Sequence, residues 1–384
     1  MLKILNTIFI VLLLSIGFAV QALGQRSQVT ETLPSYFNGL TLESPLSLSE
    51  EVWERIRTIP TVTTVRVVFD KDTEPERYIS VLDRLHSLKF PDGGKRKVYL
   101  LGEFLDSDFL ARYRWVCDRG AGCTSDEDPA AQSHDYKTRI DRYLDVLDRY
   151  IDVWEVGNEV NGEWADEGCV KDSDDKCKYK KVDGKRVSVM PARPDLTAEK
   201  IRYAIQKVNE KGKPVALTLI HQPECTTWDD NTMFEWARNN LRPKLDDVTI
   251  NYLLISYYED NCDKGKKTID EEPRGLPDQN RRNLYWNRIF NQLADLFPHV
   301  EHIGFGEVGY SSDMETCRRD ELSFCKKGTN KVRGSKLALL NRYYGMQVYN
   351  PKYIGGHFWW TAQQDIVNDS FYSALIGNFK PVSD

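Results

Sequence analysis

Short apolar runs rich in β-branched residues alternate with longer stretches of helical spacing along most of the chain. The apolar runs fall at 36–42, 62–69, 97–104, 153–156, 214–220, 252–257, 302–307 and 354–360. Each is short enough for a strand, and each is followed by a segment whose apolar residues recur at three- and four-residue intervals. In 74–88 the stripe is Tyr78, Val81, Leu82, Leu85 and Leu88, and in 136–150 it is Ile140, Tyr143, Leu144 and Leu147. The sequence Ser47-Leu-Ser-Glu-Glu51 supplies a serine cap and early acids for the first helix. Further helices are predicted at 194–211, 231–239, 280–296, 336–348 and 369–376. Eight strands, each followed by a helix, predict an α/β chain folded as a single (β/α)8 TIM barrel.

The long irregular stretches, 105–135, 160–193, 221–230, 258–278 and 308–335, all follow strands, whereas the connections from helix to strand are short. In a βα barrel the loops after strands gather at the face that carries chemistry. The extra length of the 384-residue chain is therefore expected there. The start of the chain has another character. Lys3, an apolar run over 8–20 and small residues at Ala22 and Gly24 form the pattern of a secretory signal peptide. Residues 1–24 are expected to be removed, leaving 25–384 as one catalytic domain, secreted or periplasmic and without a membrane association of its own.

That context gives meaning to eight cysteines, Cys117, Cys123, Cys169, Cys177, Cys225, Cys262, Cys317 and Cys325, all in loops after strands. Exported proteins meet oxidising conditions, and no CxxC spacing points to zinc, so disulfides are expected. Pairing in sequence order is the simplest scheme, with Cys225 and Cys262 tying the loops after strands five and six; other connectivities stay open. Such staples would hold a cleft open for an extended ligand. Charge adds an exclusion: 58 acidic against 52 basic side chains, intermixed without basic blocks, make nucleic acid an unexpected partner. Nothing marks an oligomer, and a monomer is expected.

Two carboxylates stand at predicted strand ends: Glu159 in Trp154-Glu-Val-Gly-Asn-Glu-Val160 and Glu307 in His302-Ile-Gly-Phe-Gly-Glu-Val-Gly-Tyr310. Strands four and seven face one another across a barrel mouth, so the two side chains can flank a single bond. A carboxyl pair with one member protonated and one ionised is the equipment for glycoside cleavage. Any single glutamate is more often a solvated surface residue. Two at strand ends in glycine-containing contexts make catalysis the better reading.

With these motifs in place, the chain resembles the clan A glycoside hydrolases, a group of retaining (β/α)8 enzymes. Asn158-Glu159 is similar to the Asn-Glu pair that closes strand four in that clan, which implies that Glu159 is the acid/base and that Asn158 binds the sugar 2-hydroxyl. Glu307 then corresponds to the nucleophile. Thr64-Val-Arg-Val-Val-Phe69 resembles the clan's strand two, whose arginine reaches the nucleophile, and this implies the same for Arg66. An arginine within a β-branched strand otherwise needs a buried partner. Ile255-Ser-Tyr-Tyr258 resembles the strand-six end, which gives Tyr257 a hydroxyl contact to the nucleophile, with Tyr258 as the alternative. His357-Phe-Trp-Trp-Thr361 resembles strand eight, which makes Trp360 the floor beneath the sugar, or Trp359 if the register slips by one. Adjacent tryptophans on a strand cannot both face inward. Val156-Gly-Asn-Glu-Val-Asn161 with Ser256-Tyr-Tyr258 is similar to endo-β-1,4-galactanases, and Gly306-Glu-Val-Gly-Tyr310 with Phe358-Trp-Trp360 to some endo-β-mannanases, so no single family is assigned.

Other residues are secondary candidates. His221, at the end of strand five, is expected to line the cleft. Trp164, Trp228, Tyr113 and Trp115 are candidates for outer sugar subsites, with partial burial under a loop as the alternative. Glu103, Glu163 and Asp166 are candidates for contacting hydroxyls or for tuning Glu159, with solvated acids as the alternative. The expected activity is endo-hydrolysis of a β-linked polysaccharide or oligosaccharide. Two carboxyls supply both proton and nucleophile, so no metal or organic cofactor is called for. A transglycosylase with the same residues and a non-catalytic carbohydrate-binding barrel are the alternatives.

Overall fold

Eight parallel strands close on themselves in sequence order. They are β1 (Phe37–Leu42), β2 (Thr63–Val68), β3 (Val98–Glu103), β4 (Val153–Glu155), β5 (Val215–Ile220), β6 (Tyr252–Tyr257), β7 (His302–Val308) and β8 (Gly355–Trp359). The computed structural model describes residues 33–113, 115, 135–167, 169, 179–182, 185–188, 192–221, 233–258, 278–309, 326–327, 330–331 and 336–381. The expected signal peptide at 1–24, Trp228 and seven of the eight cysteines lie outside these residues. The remaining one, Cys169, is buried and disulfide-bonded.

A helix follows every strand: α1 (Glu50–Thr58), α2 (Ile79–His86), α3 (Tyr136–Leu147), α4 (Pro194–Glu210), α5 (Met233–Trp236), α6 (Asp278–Leu296), α7 (Lys336–Tyr344) and α8 (Asp369–Asn378). The (β/α)8 barrel is thus present, and its strands lie close to the positions expected of them. Local chemistry explains the helix starts. Ser49 accepts a hydrogen bond from the Val52 amide, and Glu50 and Glu51 occupy the first turn of α1. Asp135 caps α3 in the same way through the Thr138 amide, 2.7 Å away.

Two helical segments differ from expectation. The 74–88 segment begins as a tighter 3-10 turn, Pro75–Tyr78, with Pro75 in the first position, where a missing N–H costs nothing, before the α-helix takes over. Of the helix expected at 231–239, the described residues are α over Met233–Trp236, then widen into a π-helix over Ala237–Leu241 and narrow to a 3-10 turn containing Pro243. The loops after β4 and β7 also carry short hairpins, Tyr179–Val182 with Lys185–Ser188 and Lys326–Lys327 with Asn330–Lys331, which periodicity did not reveal.

Burial follows the parity of the strands. β2 reads Thr-Thr-Val-Arg-Val-Val and is buried at every position, because helices cover one face and the barrel interior the other. Val65 and Val67 join the apolar layer beneath the helices, while Arg66 enters the barrel, where its partners are carboxylates. The outer layer is aromatic around α6: Trp286 meets Phe305 edge-on at 4.7 Å and Tyr257 at 5.0 Å. Arg139 of α3 braces the rim at the C-terminal ends of β2 and β3. Its guanidinium donates to the carbonyls of Phe69, Asp70 and Lys71 after β2 and of Phe104 after β3, at 2.8–3.0 Å.

Candidate active site

β4 delivers its carboxylate through a sharp turn. Gly157 admits this turn because a Cβ there would lie 2.5 Å from Val160 and 2.7 Å from Ile201 of α4. Glu159 itself takes a left-handed backbone with φ of 49°, a conformation uncommon outside glycine and concentrated at functional sites. Asn161 locks the turn against β5: its side chain accepts from the Ile220 amide at 2.7 Å and donates to the Ile220 carbonyl at 2.9 Å. Beyond it, the Arg193 amide donates to Asp166 at 2.7 Å, and the Glu167 amide donates to Thr197 at 2.9 Å, which anchors the loop onto α4.

On β7, Gly306 lets Glu307 approach the centre, since a Cβ at this position would meet Thr218 at 2.4 Å. Glu307 is 3% exposed and is surrounded by donors. Arg66 Nη1 donates to Oε2 at 2.9 Å, Asn158 Nδ2 donates to the same oxygen at 3.1 Å, and the Tyr258 hydroxyl donates to Oε1. Glu159, 7% exposed, receives only two donors among the described residues, both serine hydroxyls: Ser256 to Oε1 at 2.5 Å and Ser107 to Oε2 at 3.3 Å. Ser256 is the direct neighbour of Glu307 in the β6–β7 register, and the end of β6 serves both carboxylates, Glu159 through Ser256 and Glu307 through Tyr258.

These surroundings separate the two acids. Burial raises the Glu159 carboxyl well above the ordinary range, the charge of Glu307 raises it further, and only the Ser256 hydrogen bond opposes them. Burial also pushes Glu307 up, to about 7, but Arg66 and Tyr258 pull it down. The first proton taken by the pair therefore belongs to Glu159, and Glu307 is the anion.

Below them lies a charged layer in which Arg66 is the hub. Its guanidinium is wholly buried. Nε donates to Glu155 Oε2 at 2.6 Å, and Nη2 lies 2.9 Å from Glu103 Oε2, in addition to the bond to Glu307. Glu155 also accepts from Thr218. Glu103 therefore points into the barrel and is not a solvated acid.

Of the paired candidates, the structure selects one member each. Tyr258, not Tyr257, reaches Glu307. Strand parity is the reason: Ser256 turns inward to Glu159, so Tyr257 turns outward onto Trp286 and Tyr343, and Tyr258 returns inward. At the end of β8, Trp360 faces the site, with Arg66 5.7 Å from its ring centroid. Trp359 is buried in the outer layer, where its Nε1 donates to Asp365 at 2.8 Å and its ring packs on Phe371.

Several other candidates lie away from the carboxylates. His221 does not line the cleft; its ring packs among Phe234, Tyr257, Tyr285 and Trp286, and its Nε2 lies 2.7 Å from the Tyr285 hydroxyl. Tyr113 is buried with its hydroxyl on the Lys71 carbonyl. Trp115 packs against Tyr203 and beneath Lys137 on the helical exterior. Trp164 sits over Gly162 and packs against Ala111 and Cys169. Ser107, Ser256 and Glu155 were not anticipated from sequence. Glu155 carried a readable signal, an acid within a buried strand, whereas the serines had none. Among the described residues, no group of three or more His, Cys, Asp or Glu side chains is placed to hold a metal ion.

No protein-family model matches the sequence, and no curated protein matches it. Several solved structures are similar at low identity. An endo-1,4-β-mannanase from Rhizomucor miehei has 11% identity and a TM-score of 0.48, over 91% of this chain and 95% of that one. A broad-specificity endoglucanase of glycoside hydrolase subfamily 5-4 from an uncultured bacterium has 11% identity and a TM-score of 0.48, over 90% and 94%. A family 5 glycoside hydrolase from Prevotella bryantii B14 has 11% identity and a TM-score of 0.47, over 93% and 99%.

Proposed function

We propose that the protein is an exported, retaining glycoside hydrolase of clan A type that cleaves a β-linked polysaccharide or oligosaccharide internally. The observation that carries this reading is the unlike environment of two converging carboxylates: among the described residues Glu307 is held by three donors, including a cation, and Glu159 by two serines. In the first step Glu307 attacks the anomeric carbon while Glu159 gives its proton to the departing glycosidic oxygen. The C–O bond to the leaving sugar breaks as the glycosyl–Glu307 ester forms. In the second step Glu159 takes a proton from water, the water oxygen displaces Glu307, and both carboxyls return to their starting states.

The remaining side chains fit this division. Arg66 and Tyr258 steady the developing and departing charge on Glu307. Asn158 spends its amide N–H on Glu307, and its Oδ1 is buried with no hydrogen-bond partner among the described residues. That orphaned acceptor suits a sugar hydroxyl, since a buried acceptor left unpaired is costly. Trp360 offers an apolar face for a sugar ring. The proposal places the protein outside the cytoplasm as a monomer comprising 25–384, with disulfides stapling the loops after strands. Exchange of water for a sugar acceptor would use the same residues and give transglycosylation.

The test is a panel of plant, fungal and algal β-linked polysaccharides incubated with purified protein and with Glu307→Gln, with new reducing ends followed over time. The expected result is cleavage of at least one polymer by the wild type and none by the variant. Equal turnover by both proteins rejects the assignment.

A further inference from the structure

Four ionisable side chains from four strands meet inside the barrel below the catalytic pair: Arg66 of β2, Glu103 of β3, Glu155 of β4 and Glu307 of β7. One positive charge faces three carboxyls. Glu103 and Glu155 are direct neighbours in the β3–β4 register, and Asp106, just beyond β3, adds its negative field to Glu103. If all three glutamates were anionic, the cluster would hold two uncompensated charges, with Glu103 and Glu155 wholly shut off from water, and such buried unpaired charge is expensive.

The hydrogen bonds show which carboxyl is the exception. Glu155 accepts from Arg66 Nε and from Thr218, so donors serve it as an anion. Glu307 accepts from Arg66, Asn158 and Tyr258. Glu103 is 0% exposed and, among the described residues, accepts no hydrogen bond at either oxygen. Its approach to Arg66 Nη2, 2.9 Å, lacks the alignment of a hydrogen bond.

We propose that Glu103 is a proton-bearing positioning residue: held as a neutral acid, it fills the third side of the Arg66 guanidinium and leaves the cation to Glu155 and Glu307. Its neutrality is what allows Arg66 to stabilise Glu307. An anionic Glu103 would compete for the same charge and repel the nucleophile. Burial together with the negative charges of Glu155, Asp106 and Glu307 works in the same direction, and Arg66 is the one group opposing them. The inference rests on the hydrolase reading only where it calls Glu307 a nucleophile; the proton on Glu103 is a property of the fold.

The test is therefore independent of substrate. A carboxyl that keeps its proton on folding makes the folded state bind more protons than the unfolded state above pH 4.5, so stability falls as pH rises. Glu103→Gln removes that proton from the balance. In denaturant titrations between pH 5 and pH 7, the ratio of the variant's folding constant to that of the wild type is expected to grow about tenfold per pH unit. Parallel curves would show an anionic Glu103 and overturn the proposal. Should the variant not fold, infrared spectroscopy of Glu159→Gln protein, which keeps the Glu307 charge, provides the second measurement. A protonated-carboxyl carbonyl band that persists at pH 8, above the Glu307 value of about 7, supports the proposal, and its absence overturns it. Failure of the polysaccharide panel with a tenfold slope would reject the hydrolase reading alone; activity with parallel curves would reject the Glu103 assignment alone.

Discussion

The barrel has two buried layers, and they solve opposite problems. Between sheet and helices the contacts are aromatic and aliphatic: Trp286, Phe290, Phe305 and Tyr343 pack edge to face around α6, and His221 and His357 are enclosed among such rings. Inside the barrel mouth, the equally buried Arg66, Glu103, Glu155, Glu159 and Glu307 form a charged network. The outer layer stabilises by removing apolar surface from water, and it needs no particular ionisation state except that its histidines be neutral. The inner layer depends entirely on which groups carry protons. Stability and chemistry are thus assigned to opposite faces of the same strands, with the alternation of side chains keeping them apart.

The strongest way to break this contrast is to remove one anchor from each layer. Arg66→Met strands buried carboxylates without their cation and is expected to cost about 3–5 kcal/mol at neutral pH. Because acid protonates those carboxyls, the loss should shrink as the pH is lowered. Trp286→Ala leaves a cavity of similar cost, about 3–5 kcal/mol, with little dependence on pH. Chemical denaturation of both variants at pH 5 and pH 7 decides it; a pH-independent loss for Arg66→Met would mean that the inner layer is not the titrating element.

A smaller effect concerns the wild type alone. Burial lowers His221 and His357 to about 3, so the unfolded chain takes up protons there first, and stability is lost as pH falls from about 6.5 towards 3. Glu103, Glu159 and Glu307 are shifted the other way, Glu307 to about 7, so their contribution is complete below about pH 4.5 and is lost as pH rises through their folded values. Melting temperature plotted against pH should therefore peak between about 4.5 and 6.5. Replacing either histidine with Phe should shallow the acid side, and Glu103→Gln the alkaline side. A flat profile up to pH 8 would contradict this account of the inner layer.

Most of this arrangement was legible in the sequence where a pattern repeats. The βα alternation placed all eight strands, and acids at the ends of strands four and seven marked Glu159 and Glu307. Arg66 was marked by the resemblance to the clan's strand two, supported by the oddity of an arginine within a β-branched run. Parity was not legible at β6, because Tyr252–Tyr257 is buried on both faces and hydrophobicity cannot tell which side faces inward; the pairing with β7 also shifts register between Ile255 and Ser256. His221 was misplaced for the same reason, since a strand-end residue can turn to either side. Ser107 and Ser256 carry no signal as residue types, and their role emerges only when three strand ends converge on Glu159.

Tyr258→Phe sharpens the site itself. Loss of one hydroxyl donor to a buried carboxylate should lower kcat/KM by about tenfold and, because that hydrogen bond holds Glu307 down, move the acid limb of the pH profile upward. Tyr257→Phe, in the outer layer, should leave that limb in place. A shift with Tyr257→Phe and none with Tyr258→Phe would reverse the parity assigned to β6.

The central claim is that the two carboxylates play unlike roles because their surroundings differ. It is tested most directly with a dinitrophenyl β-glycoside of whichever sugar the polysaccharide panel identifies, whose leaving group departs without a proton. Glu159→Ala is expected to release one equivalent of phenolate in a rapid burst and then stall at the glycosyl-enzyme, while Glu307→Ala releases none. Equal loss of the burst in both variants, or a burst in Glu307→Ala, would contradict the account.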